Sequence, residues 1–203
     1  MDLKDRYKAG MTADDFLGTF NSDQKQLHAT HAKRADVERF RNELIGKLPP
    51  LRILIITEPW CGDSAAIVPV LLKLMEGMEE VKIRFLPRDR NLDLMDRYLT
   101  RGARAIPKII IMDGDYRELA VWGPRPRAAQ EIFENHRSRI ESGEIEKIEV
   151  IKKIRAFYSK DRGRAIAAEL TALLHDAVRR SPRALVRRIR ADDEWQPNRR
   201  PIR

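Results

Sequence analysis

The chain has one cysteine in 203 residues, and that scarcity excludes more than any motif it contains. A lone thiol cannot close an intramolecular disulfide, so a secreted disulfide scaffold and a two-cysteine redox catalyst are both ruled out, as is a cysteine-rich zinc cluster. Long hydrophobic runs are missing as well. No stretch approaches the roughly 20 apolar residues of a membrane span, and the charged start Met1-Asp2-Leu3-Lys4-Asp5-Arg6 lacks the apolar segment of a signal peptide. The expected location is cytoplasmic. Histidine is scarce too, at 4 residues. His28 and His31 could share a helical face, but without a third ligand nearby they do not make a metal site, and no metal or other cofactor is expected. His136 and His175 stand alone and are given no role.

What is present is a foldable core. At 42% hydrophobic residues the chain has enough apolar surface to bury. The formal charge is +9, unevenly placed. Residues 179–203 hold nine arginines, no lysine and three acids, and so supply six of those nine charges. The basic character belongs to a tail, which is a candidate contact for an acidic partner or nucleic acid. Its only aromatic is Trp195 and no recognition fold accompanies it, so a solvated basic tail is the simpler reading.

The first fifty residues read as helical. Thr12 with Asp15 suggests a capping box ahead of Phe16, Leu17 and Phe20. Val37, Phe40, Leu44, Ile45 and Leu48 fall on one face of a second helix, stopped by Pro49-Pro50. Leu51-Arg52-Ile53-Leu54-Ile55-Ile56 is a nearly unbroken apolar run, as in a strand buried on both faces. A turn over 57–64 and a helix over about 62–77 follow. Val81, Ile83 and Phe85 alternate with Lys82 and Arg84 as a second strand, and a helix is expected near 91–100. Ile109-Ile110-Ile111-Met112, the Asp113-Gly114-Asp115 turn and Leu119-Ala120-Val121-Trp122 form a hairpin, before a helix over about 126–139. The order predicts a mixed sheet with helices on both faces: a parallel βαβ start, then an antiparallel edge. Beyond it, Ile145, Ile148, Ile151 and Ile154 suggest one helix, and Ile166, Leu170, Leu173, Leu174 and Val178 another, which packs back on the domain or forms a homodimer seam. From Ser181-Pro182 the chain is expected to be loose or transiently helical.

A strand that ends in Glu58-Pro59-Trp60-Cys61-Gly62-Asp63-Ser64 and opens a helix resembles the thioredoxin active-site turn. Pro69 sits where thioredoxins kink this helix, and Ala105-Ile106-Pro107 resembles their cis-proline loop. Trp122-Gly123 falls where a hydrophobic residue and a glycine border the substrate groove. The match is closer still to a bacterial thioredoxin-like family that reads Trp-Cys-Gly-Asp-Cys. Its further motifs stand here as Leu94-Met95-Asp96 with Tyr98-Leu99, Arg104-Ala105-Ile106-Pro107, and Trp122-Gly123-Pro124-Arg125-Pro126. The resemblance covers about residues 12–139. It implies a thioredoxin fold with a core over 51–140, helical extensions over 1–50 and 141–178, and the basic tail over 179–203. Two positions depart from the pattern. Ser64 stands where the family has its second cysteine, and Ile55 where thioredoxins carry a buried aspartate.

By that resemblance Cys61 is the nucleophile, at a helix N-terminus where free N–H groups and the macrodipole favour a thiolate, and its pKa is expected below the ordinary value. Ser64 can donate to that thiolate but cannot attack a mixed disulfide, so the chemistry left is monothiol exchange, isomerisation or adduct transfer on protein or low-molecular-weight disulfides. Pro107 belongs to the catalytic set. Trp60, Gly62, Ile106, Trp122 and Gly123 form the expected substrate edge, where a partner peptide can add as a strand. Asp63 reads as an ordinary acid in a helix first turn. The competing reading is a redox-inactive module that binds partners through the same groove.

Overall fold

The computed structural model describes residues 2–180. Residues 181–203, which hold the segment expected to be loose or transiently helical and most of the basic tail, lie outside the described residues. Four helices come first: α1 (Leu3–Ala9), α2 (Ala13–Gly18), α3 (Ser22–Arg34) and α4 (Glu38–Leu44). The Thr12–Asp15 capping box is formed in both directions, so two orphan N–H groups of α2 are satisfied locally. α4 is shorter than its apolar spacing suggests. Gly46 takes a left-handed φ of +71° and ends the helix before the two prolines, which leaves Ile45 45% exposed instead of on the buried face.

The sheet has four strands, β1 (Leu51–Thr57), β2 (Val81–Pro87), β3 (Lys108–Asp113) and β4 (Glu118–Trp122), in the order β2-β1-β3-β4. Helix α5 (Gly62–Leu74) links β1 to β2, which pair in parallel from Leu51↔Val81 to Thr57↔Pro87. β3 then runs antiparallel to β1, with Ile53 opposite Ile111, and β4 antiparallel to β3. The sheet is therefore mixed, as the element order predicts, with a parallel β1–β2 pair and an antiparallel hairpin joined to it between β1 and β3. Alternation decides which side each residue serves. Leu51, Ile53, Ile55, Ile109 and Ile111 face one core cluster with α5. Leu54, Ile56, Ile110 and Met112 face a second cluster, which contains Cys61.

The expected helix over 91–100 is reduced to one turn, α6 (Leu92–Met95). The following residues close instead on a Thr100–Ala103 bridge through left-handed Arg101 and Gly102, and Arg104 grips Asp96 with two N–H groups. The 126–139 helix is broken at Asn135–His136 into α7 (Arg127–Glu134) and α8 (Arg137–Glu141). Two long helices follow, α9 (Lys147–Asp161) and α10 (Arg164–Arg180). The buried stripe of α9 is Val150, Ile154 and Tyr158, at spacing four. The run of isoleucines at spacing three drifts round the helix and leaves Ile148 exposed. α10 buries Ile166, Ala167, Leu170 and Leu174 and packs on α4, α5 and β4, so this helix folds back on the domain. Among the described residues no helix is long and apolar enough to cross a membrane.

Candidate functional site

β1 delivers the chain to a tight turn in which the Cys61 N–H donates to the Glu58 carbonyl (3.1 Å). Glu58 itself is buried and its Oε1 accepts from the Asp89 N–H (2.9 Å), which braces the turn against the segment after β2. Cys61 is the N-cap of α5, and its carbonyl takes the first helical hydrogen bond from Ala65. Trp60 projects from the turn, 58% exposed, with the Arg88 guanidinium 4.9 Å from its ring centre.

The Cys61 thiol points the other way. It is 8% exposed and donates to the Ile106 carbonyl at 3.4 Å, so sulfur and the Ile106–Pro107 loop meet directly. The Ile106–Pro107 and Gly123–Pro124 peptides are both cis. Gly123 completes the same cluster. Its φ is +110°, and a Cβ there would stand 2.2 Å from the Pro107 carbonyl oxygen, so only glycine lets the two loops touch.

Burial pushes the Cys61 thiol above its ordinary pKa; the Ser64 hydroxyl and N–H pull against it, and the Asp63 carboxylate adds to the rise. The expectation of a depressed pKa therefore fails. Desolvation of a nearly closed site outweighs the helix N-terminus. Ser64 is buried, and its Oγ lies 2.5 Å from Thr57 Oγ1. With Thr57 donating, the Ser64 hydrogen is free to point at sulfur.

Asp63 does much more than its sequence position suggests. Its Oδ1 accepts from Arg125 Nε (3.0 Å) and from the Tyr158 hydroxyl (2.9 Å), and its Oδ2 lies 2.7 Å from Arg125 Nη2. The pair is only 14% and 16% exposed. Burial, then the Asp63 charge, pushes the Tyr158 phenol far above its ordinary value, so it stays a donor. This triad fastens the Cys61 turn to the loop before α7 and to α9. Tyr158 gives no sequence signal, because it lies 95 residues from Asp63; Arg125 stands inside a quoted motif without a visible partner.

Lys108 is another residue that pattern reading passes over. It is buried, and its Nζ donates to Thr100 Oγ1 (2.6 Å) and to the Gly123 carbonyl (3.0 Å), tying both neighbouring loops to β3; burial lowers its pKa. Trp122, in contrast, leaves the expected groove. It packs with the first core cluster, on the sheet face away from Cys61, and its indole N–H donates to Glu169 of α10 (2.8 Å). Of the expected site residues, Cys61, Ser64, Ile106, Pro107 and Gly123 are brought together, with Trp60 at the rim. Gly62 faces α9, where Arg155 Nη2 is 3.8 Å from its Cβ position.

No curated protein matches the chain. Among solved structures, an HIV epitope-scaffold is similar, with a TM-score of 0.67 at 15% identity, covering 86% of this chain and 98% of that one. A protein of unknown function from Pseudomonas aeruginosa gives 0.67 at 16%, covering 84% and 95%. At such identities the likeness is one of fold. A family model described as Thioredoxin matches residues 10–138, which span the helices from α2 to α7, the whole sheet, the Cys61 turn and the Pro107 loop. With that match and a βαβ-plus-hairpin sheet carrying a lone cysteine at the mouth of α5, the chain belongs to the thioredoxin family.

Proposed function

We propose that the chain acts as a monothiol thioredoxin-like protein that takes part in thiol–disulfide exchange through Cys61. The Cys61 thiolate attacks one sulfur of a protein or low-molecular-weight disulfide, forms a mixed disulfide, and expels the other sulfur as a thiolate. No second cysteine exists in the chain to resolve it. An external thiolate must therefore attack the mixed disulfide, regenerate Cys61 and carry the client sulfur away in a new disulfide. The observation that carries this reading is the thiol at the α5 N-cap, in contact with the Ile106 carbonyl of the docking loop. The buried thiol makes the first step slow at neutral pH and the missing resolving thiol makes the intermediate long-lived, so the chemistry suits capture better than rapid turnover.

The test is to incubate the protein with glutathione disulfide and follow intact mass. Wild type should gain one glutathione adduct, removable by dithiothreitol. Cys61→Ser should gain none, and Ser64→Cys should release the adduct by closing a disulfide between Cys61 and the introduced thiol. A wild-type protein that stays unmodified after prolonged incubation at pH 9 overturns the exchange reading. One observation favours the second reading, a binding module without redox chemistry. The same burial that raises the Cys61 pKa leaves the protonated thiol as a plain hydrogen-bond donor to Ile106. Under that reading Cys61→Ser retains full affinity for whatever client docks on Trp60, Ile106 and Pro107.

A further inference from the structure

α3, α5 and α9 enclose a cavity of about 380 Å³ that reaches the Cys61 turn at Gly62, within the range of small-molecule sites, about 300–1,000 Å³. Its walls are apolar, with Leu27 from α3, Val70 from α5 and Ile166 from α10. Its charged groups all carry one sign. Arg34, Arg155 and Arg162 line it, together with His31, and among the described residues no carboxylate does. The nearest acid of the turn, Asp63, is already held by Arg125 and Tyr158.

The three guanidinium groups are not equivalent. Arg34 donates to the Ser159 carbonyl and hydroxyl, and Arg162 donates to the Arg34 carbonyl; both close the seam between α3 and α9. Arg155 makes no hydrogen bond or ion pair among the described residues, and its Nη2 sits over Gly62. One free guanidinium fork at the edge of an apolar chamber matches one carboxylate, which it can grip with two parallel N–H bonds. The positive end of α5 lies beside the same spot and favours the same charge.

We propose that this cavity binds a small amphiphilic carboxylate, its head on Arg155 next to Gly62 and its apolar body among Leu27, Val70 and Ile166. The site does not depend on any redox role of Cys61, and binding can be read in the Cys61→Ser protein as well as in wild type.

Decanoate is a suitable probe, titrated below its micelle concentration by calorimetry into the full-length protein. It should bind at one site, and decanol and acetate, each lacking one half of the ligand, should bind more weakly. Arg155→Ala should weaken decanoate by about tenfold or more, the usual scale for losing a charged hydrogen-bond pair. Arg155→Lys should recover part of the loss. Thr30 lines the cavity from the exposed side of α3, so Thr30→Trp should block binding without touching any charge. Absence of saturable decanoate binding overturns the proposal. So does equal affinity for decanol, or affinity unchanged in both Arg155→Ala and Thr30→Trp.

Discussion

At the scale of single residues, two effects compete at Cys61, and burial wins over the helix N-terminus. Alkylation by iodoacetamide should therefore keep accelerating past about pH 8.5, the ordinary thiol value, instead of levelling off near neutrality, because the reactive thiolate fraction is still rising there. Ser64→Ala removes a donor that lowers the pKa, so the rate at pH 7.5 should fall severalfold and the profile move to still higher pH. A rate that plateaus below pH 8 would contradict the buried-thiol account. A second outcome concerns Tyr158, whose hydroxyl meets a buried carboxylate. Tyr158→Phe should cost about 1.5–3 kcal/mol in urea unfolding, the range for a hydrogen bond to a charged group. A loss no larger than a few tenths would mean that Arg125 alone satisfies Asp63.

At the scale of elements, α10 is tied to the sheet by one side chain. Glu169 accepts from the Trp122 indole through Oε2 and from the Arg127 N–H through Oε1 (2.7 Å), and so caps the start of α7 as well. Glu169→Gln keeps the shape but has only one acceptor oxygen, so one donor is left over. The Arg127 amide should then exchange its hydrogen faster, while amides in β1 keep their protection. The elements themselves were largely legible in the sequence. The apolar run of β1, the alternation in β2, the hairpin around Asp113-Gly114 and the Thr12 box all obey local rules that a single chain displays. What stayed hidden needed knowledge of partners far along the chain. The direction of β3 beside β1, the turn of Trp122 toward α10 and the closing of Asp63 by Arg125 and Tyr158 are tertiary pairings with no periodic trace. The shortened α4 and α6 show the same limit from inside, since Gly46 turns the chain just past α4 and α6 stops at Asp96, well before the left-handed Arg101 and Gly102.

At the scale of the molecule, the histidines of α3 make the fold sensitive to acid. Burial lowers the pKa of both His28 and His31, with each also under a nearby like-charged group. His28 Nε2 is buried with no hydrogen-bond partner among the described residues, and the ring lies against Phe20. Groups held neutral in the fold contribute stability that is present above their unfolded value of about 6.5 and is lost as pH falls below it, because the unfolded chain then binds more protons. The melting temperature should decline between about pH 6.5 and pH 5, and His28→Gln should flatten that decline.

The Asp63–Tyr158 contact has a consequence in time as well as in space. The chain is made from its N-terminus, and all four strands and Cys61 itself are complete long before residue 158 has been added. Until α9 has left the ribosome, Asp63 and Arg125 have no phenol to close over them. The turn that carries Cys61 is thus fastened from this side only when the last helices arrive, after the sheet beneath it is complete.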